Sequence, residues 1–152
     1  MYEKFYGFSE KPFALTPDPA FLYLGGRHAV GLSMLQYGLM NRSALIVLSG
    51  AIGTGKTTLV RRLLDEADHS MTVGLISNTH EAFGSLMQWI AVAFGLPAKT
   101  SKATQYDKFA RFLIDQYAKG KRCVLVVDEA QNLSEKALEE LRLLTNINAD
   151  KD

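Results

Sequence analysis

The sequence predicts an α/β sandwich built on a mainly parallel sheet, and three observations predict it. Apolar runs rich in β-branched residues alternate along the chain with stretches of helical period. One run leads into a glycine-rich turn and a helix-forming segment, Leu-Ile-Val-Leu-Ser-Gly-Ala-Ile-Gly-Thr-Gly-Lys-Thr-Thr over residues 45–58. Another, Val124-Leu125-Val126-Val127, ends in the carboxylate pair Asp128-Glu129. Short runs that are apolar throughout suit central strands covered by helices on both faces.

The elements follow in chain order. Residues 1–26 are rich in rings and prolines, among them Tyr2, Phe5, Tyr6, Phe8, Phe13, Phe21, Tyr23, Pro12, Pro17 and Pro19, without helical or strand period. A disordered tail would not carry so many rings, so an irregular strap packed onto the core is expected. The remainder, 27–152, reads as the core of one domain. A helix is expected over His28–Arg42, with Leu32, Leu35 and Leu39 on one stripe, then a strand over Ala44–Leu48. A helix follows the glycine-rich turn to about Ala67, then a strand over Met71–Ser77. Glu81–Phe94 reads as a helix stopped by Gly95 and Pro97. Thr104–Lys119 reads as another, opened by Thr104 and Asp107 in a capping box, closed by Gly120, and striped by Phe109, Phe112, Leu113 and Tyr117. Cys123–Val127 is a strand, and Ser134 caps a last helix carrying Leu138, Leu141 and Leu144.

Bulk properties narrow the function classes. The chain has 152 residues, 47% of them hydrophobic, enough for one domain with a core. A formal net charge of +1 with 22% charged residues gives no bulk electrostatic case for nucleic acid or a membrane surface. The single cysteine, Cys123, cannot form an internal disulfide and reads as a small core residue, which fits a reducing compartment. The N-terminus does not read as a signal peptide, and no apolar run is long enough for a membrane helix. A soluble, cytoplasmic chain is the expectation.

Chemistry concentrates at two places. From Gly50 to Thr57 the spacing is G-x-x-x-x-G-K-T, the Walker A pattern, set between a strand and a helix as a phosphate-binding loop requires. Gly50, Gly53 and Gly55 let the backbone of Gly50, Ala51, Ile52, Gly53 and Thr54 curl so that successive N–H groups face an anion. The helix starting near Lys56, with Thr57 and Thr58 in its first turn, adds its positive end. Lys56 reaches the β- and γ-phosphates, and the Thr57 hydroxyl is a ligand for Mg²⁺. The blander reading is a glycine-rich surface loop before an exposed lysine.

The second place is Asp128-Glu129, in the Walker B position at the carboxyl end of a buried strand. Asp128 is placed to hold Mg²⁺ through a water, together with Thr57, and Glu129 to orient and deprotonate the water that attacks the γ-phosphate of ATP. The alternative is a pair of helix-capping charges in a solvated loop. A glutamate on this strand points to a hydrolase that supplies its own base.

These motifs sit within a wider resemblance. Phe5-Tyr6-Gly7-Phe8, Lys11-Pro12-Phe13-Ala14-Leu15-Thr16-Pro17-Asp18-Pro19 and Phe21-Leu22-Tyr23-Leu24 resemble the N-terminal signature of the general secretion pathway protein A (ExeA-type) AAA+ ATPases. Gly50–Thr58, Asp128-Glu129-Ala130-Gln131-Asn132-Leu133-Ser134 and Leu138-Glu139-Glu140-Leu141-Arg142-Leu143-Leu144 continue the match over essentially the whole chain. The resemblance implies an AAA+ P-loop NTPase with a three-layer sandwich fold. It implies a homo-oligomer that turns over ATP and assists assembly of a secretion or pilus-type envelope machine, with a partner at the inner membrane. It also offers Asn78, at the end of the second strand, as a polar residue that holds the Walker B glutamate away from water; a turn residue before Thr79-His80 is the equal alternative. The stretch Tyr23–His28 corresponds to the approach to adenine, which makes Leu24 and His28 candidates, with His28 as an ordinary helix-start residue the alternative. His69 and His80 read as solvated loop residues.

In the P-loop class with an adjacent catalytic glutamate, a further strand carrying a polar sensor normally follows the helix after Asp128-Glu129. The chain ends near that point, at Ala149-Asp150-Lys151-Asp152. The expectation is therefore a partial domain, with the sensor, the arginine finger, the helical lid and any membrane-directed part lying beyond Asp152. Two other functions remain open at this stage. One is a DNA-associated ATPase of the transposition-regulator kind, which salt-sensitive DNA binding would reveal. The other is a non-catalytic nucleotide-binding scaffold.

Overall fold

Two strands rich in β-branched residues, β1 (Met71–Ile76) and β2 (Arg122–Val127), pair in parallel, with Met71 opposite Arg122 and Ile76 opposite Val127. They appear in a computed structural model of the chain, which describes residues 2–9, 22–66, 70–77, 79 and 84–145. The helices are α1 (Tyr2–Tyr6), α2 (Gly26–Met40), α3 (Lys56–Asp65), α4 (Leu86–Ala93), α5 (Lys102–Ala118) and α6 (Glu135–Thr145), with a 3₁₀ turn at Ala130–Asn132. The chain divides into two compact units, Met1–Glu66 and Ala67–Asp152. The α/β class read from the alternation of elements holds, with a small parallel sheet. Among the described residues, no helix is long and apolar enough to cross a membrane.

In the first unit, α2 and α3 bury a leucine cluster of Leu32, Leu35, Leu59 and Leu63, against which Leu22, Leu39 and Leu48 pack. The expected stripe on α2 is thus the packed one, although the helix begins at Gly26 and ends at Met40. Arg42 follows it at φ 54°, and Ser43 N–H reaches back to the Gly38 carbonyl at 2.9 Å, which closes the helix end.

Two expectations fail in this unit. The run Ala44–Leu48 is not a strand: residues 45–50 take no regular secondary structure, and Leu45 and Val47 are exposed. A strand exists through its ladder bonds, and the sheet among the described residues contains only β1 and β2. The N-terminal segment is not a uniformly packed strap either. Tyr2–Tyr6 is a short helix, Phe5 is 82% exposed and Tyr23 is 86% exposed. Tyr6 meets its neighbours locally instead, edge to face with Phe5 at 4.9 Å and tilted against Phe8 at 6.0 Å. The rest of the ring-rich segment, residues 10–21, lies outside the described residues.

In the second unit the core gathers Ile76, Leu86, Met87, Ile90, Phe109, Leu133 and Ala137, joined by Phe94, Phe112, Leu125, Leu141 and Leu144. Gly74 of β1 lets a ring approach the strand, since a Cβ there would lie 2.8 Å from the Phe94 ring. That ring is itself wedged against Phe109 and Phe112, at centroid distances of 5.8 and 5.3 Å. Helix α4 starts at Leu86, with the Gln88 side chain accepting from Ser85 N–H at 2.9 Å; Glu81 lies outside the described residues. Gly95 and Gly120 follow α4 and α5 at positive φ, as their positions after each helix predict.

Helix α5 corrects two details. Its cap is Ser101, whose side chain accepts from Thr104 N–H, while Asp107 pairs with Arg111 at 3.1 Å. Tyr117 is 75% exposed, and the buried positions beside Phe109 are Gln105 and Gln116. Both amides have acceptors or donors waiting: Gln105 donates to the Ala98 carbonyl at 2.5 Å, and Gln116 accepts from Thr72 Oγ1 at 2.7 Å. Hydrophobic period alone does not register a buried amide whose partners lie on other elements. On α6, Leu138 is exposed, and Ala137 takes the buried place beside Leu141 and Leu144. Cys123 is a half-buried strand residue, and that burial pushes its thiol up from the ordinary value of 9.0.

Candidate functional site

The glycine-rich turn belongs to the first unit. Gly53 and Gly55 lie at φ 76° and 81°, a left-handed conformation that costs an L-residue about 1–2 kcal/mol. Gly55 is also the N-cap of α3, and its carbonyl accepts the Leu59 N–H at 2.9 Å. The turn is tied to itself by side chains. Thr54 Oγ1 donates to the Ala51 carbonyl at 2.8 Å, and Lys56 Nζ donates to the carbonyls of Gly50 at 3.0 Å and Ala51 at 2.9 Å. Ile52 is fully exposed, whereas Thr57 and Thr58 are half-buried as α3 begins.

Loop carbonyls are thereby engaged by donors while a helix N-terminus opens directly from the turn. A helix end leaves its first N–H groups without intrahelical acceptors, and its dipole favours an anion there. The arrangement has the backbone chemistry of a phosphate cradle. Of the residues considered for an approach to adenine, Leu24 is 40% exposed. His28 contacts the turn: its Nε2 lies 2.9 Å from the Thr54 carbonyl.

The acidic pair belongs to the second unit. Asp128 N–H donates to the Ile76 carbonyl at 2.9 Å, which carries the parallel ladder one residue past β2. Asp128 and Glu129 therefore leave the sheet at the edge where both strands end. Glu129 sits at φ 53°, ψ 39°, left-handed without being glycine. Local bonds hold it there. Its N–H donates to Asp128 Oδ1 at 3.0 Å, its carbonyl accepts from Asn132 N–H at 3.0 Å, and its carboxylate accepts from the Gln131 amide. Strain of this kind persists where surrounding structure over-determines it, and it concentrates at functional positions.

One contributor went unread in the sequence. Thr79, 0% exposed, donates through Oγ1 to the Glu129 carbonyl at 3.0 Å across a sequence separation of 50. The sequence reading gives Thr79 no role, and no local pattern links it to Glu129. Asn78, offered for the control of that glutamate, lies outside the described residues, as do His69 and His80. The described residues contain no group of three or more His, Cys, Asp or Glu side chains suited to a metal. Thr57 and Asp128 offer hard oxygen donors, the type Mg²⁺ takes alongside phosphate and water.

Comparison with known proteins adds the family. The AAA domain family matches residues 40–152. General secretion pathway protein A of Aeromonas hydrophila is 39% identical over 153 aligned residues, covering 99% of this chain and 28% of that protein. The chain thus spans 28% of the length of the curated relative it matches, and the resemblance carried by its N-terminal, glycine-rich and acidic motifs leads to a protein of that description. No solved structure matches the chain.

Proposed function

The chain belongs to the AAA domain family, and from that premise we propose that it binds ATP through Gly50–Thr58 and hydrolyses it to ADP and phosphate. The observation that carries the reading is the turn itself, with Gly53 and Gly55 left-handed and α3 opening directly from Gly55. In this assignment backbone N–H groups of the turn and the N-terminus of α3 bind the phosphates. Lys56 exchanges its carbonyl partners for phosphate oxygens, a stronger, charge-assisted bond. Thr57 and Asp128 are the residues that would hold Mg²⁺, which neutralises phosphate charge when bound. Glu129 acts as the general base toward water, its carboxylate directed by a backbone pinned at the end of the sheet.

The wider role rests on the family and on the name of the matched relative. We infer a three-layer AAA+ sandwich that works as a homo-oligomer on the cytoplasmic side of the inner membrane. There it would assist assembly of a secretion or pilus-type envelope machine through an inner-membrane partner. Nucleotide binding and phosphate release test the catalytic part. Lys56→Ala should lose ATP affinity, whereas Glu129→Gln should still bind ATP and turn it over about 100-fold more slowly or worse. Equal turnover by wild type and Glu129→Gln refutes the assignment of the base.

A further inference from the structure

We propose that His28 is a positioning residue for the phosphate-binding loop, fixing the Thr54–Gly55 peptide from a neighbouring helix; this deepens the reading of Gly50–Thr58 as that loop and rests on it. The contact is directional. A carbonyl only accepts, so the 2.9 Å approach of His28 Nε2 to the Thr54 oxygen requires a proton on Nε2, and the imidazole donates. Peptide planarity then sets the next group: in a trans peptide the N–H of Gly55 points opposite to the Thr54 carbonyl. Holding the oxygen toward the histidine turns the Gly55 N–H away from it.

That peptide is one that local forces leave undecided. Glycine tolerates either sign of φ, so rotation of Thr54 ψ with Gly55 φ can flip the intervening peptide at little steric expense. A flipped peptide would present a carbonyl oxygen where an anion site needs a donor. The carbonyls of Gly50 and Ala51 are engaged by donors from within the turn, Lys56 and Thr54, and that of Gly55 by Leu59 of α3. The Thr54 carbonyl is held from α2, across a sequence separation of 26.

The scaffold behind His28 is firm. Its own N–H donates to the Gly25 carbonyl at 3.0 Å in the first turn of α2. Leu32 and Leu35 of that helix pack on Leu59 and Leu63 of α3. Gly31 permits the close approach of the two helices, since a Cβ there would stand 3.2 Å from Leu59 Cδ2. The ring also sits close over the helix start, with Nε2 3.5 Å from where a Gly55 Cβ would be. The imidazole thus reads the main chain of the loop, a role that does not require contact with a base.

The test measures affinity for ATP and for inorganic tripolyphosphate, by displacement of a fluorescent ADP analogue from wild type, His28→Ala and His28→Gln. Thermal melts in parallel check that each variant is folded. Loss of one net hydrogen bond's worth of preorganisation should weaken both ligands about fivefold to tenfold in His28→Ala. His28→Gln, whose Nε2 can donate from nearly the same place, should restore most of that loss. Unchanged affinity in a folded His28→Ala overturns the proposal. So does a loss confined to ATP, which would move His28 to the base, or a glutamine variant no better than alanine. Wild-type protein that binds neither ligand would instead overturn the phosphate-loop reading itself.

Discussion

Replacing Glu129 by glycine and, separately, by alanine should invert the usual stability order of those two residues. Glu129 sits at φ 53°, ψ 39°. Alanine keeps the left-handed strain, which costs an L-residue about 1–2 kcal/mol, whereas glycine removes it. Against this, glycine raises the entropy of the unfolded chain, worth about 0.4–1 kcal/mol in favour of alanine at an ordinary site. The difference leaves glycine ahead by roughly 0.5–1 kcal/mol. Both variants lose the exposed contact with Gln131, so that term cancels between them. At about 2–4 °C per kcal/mol for a chain of this size, Glu129→Gly should melt roughly 1–4 °C above Glu129→Ala. The assay is thermal unfolding of the purified variants under one buffer, with ATP turnover measured alongside. Glycine restores stability but no carboxylate, so turnover should be lost in both, which separates strain from chemistry. An alanine variant that melts at or above the glycine variant would refute stored strain at this residue.

The remaining expectations concern the support around the two motifs. Gly74→Ala should destabilise the second unit by about 1–3 kcal/mol, because the new methyl meets a Phe94 ring that Phe109 and Phe112 hold in place; an unchanged denaturation midpoint would contradict this. Thr79→Val removes the bond to the Glu129 carbonyl but leaves that oxygen its Asn132 partner, so a loss near 1 kcal/mol in urea unfolding is expected, and no loss would show the hydroxyl to be idle. Cys123 gives a pH signature. Its thiol is raised in the folded state by burial, so its contribution to stability is complete below the ordinary value of 9.0 and falls as pH rises through the folded value. Wild type should therefore lose stability on the alkaline side relative to Cys123→Ser, and alkylation at neutral pH should be slower than for a free thiol. Equal alkaline profiles would count against it.

The acidic pair and the glycine-rich turn suggest why this chain tolerates unusual backbone where it does. Arg42 and Glu129 are the non-glycine residues at positive φ among those described. Arg42 has an ordinary explanation, because a left-handed residue commonly closes a helix. Glu129 has no helix to close. Its conformation is imposed by the ladder bond before it, the 3₁₀ turn after it and the Thr79 hydroxyl beside it. These bonds fix the backbone from which the carboxylate projects, and under the function proposed above that placement is what a positioned base requires.

The sequence by itself determined the local chemistry: the glycine spacing ahead of α3, the carboxylates closing β2, the glycines that follow α4 and α5, and the apolar runs of β1 and β2. These signals lie within a turn or two of the residues they govern, so short-range sterics and period suffice to read them. It also carried the family, since the AAA domain family matches residues 40–152 and the secretion-pathway relative is 39% identical over 99% of the chain. Tertiary structure alone decided the rest. Whether 44–48 pairs into a sheet depends on a partner strand, not on its own β-branched residues. Gln116 is buried because Thr72 donates to it across 44 positions, and Tyr117 beside it is therefore outside. Thr79 meets Glu129 and His28 meets Thr54 across 50 and 26 positions. A polar side chain's role is set by the partner that folding delivers, and no periodicity in the chain encodes that partner.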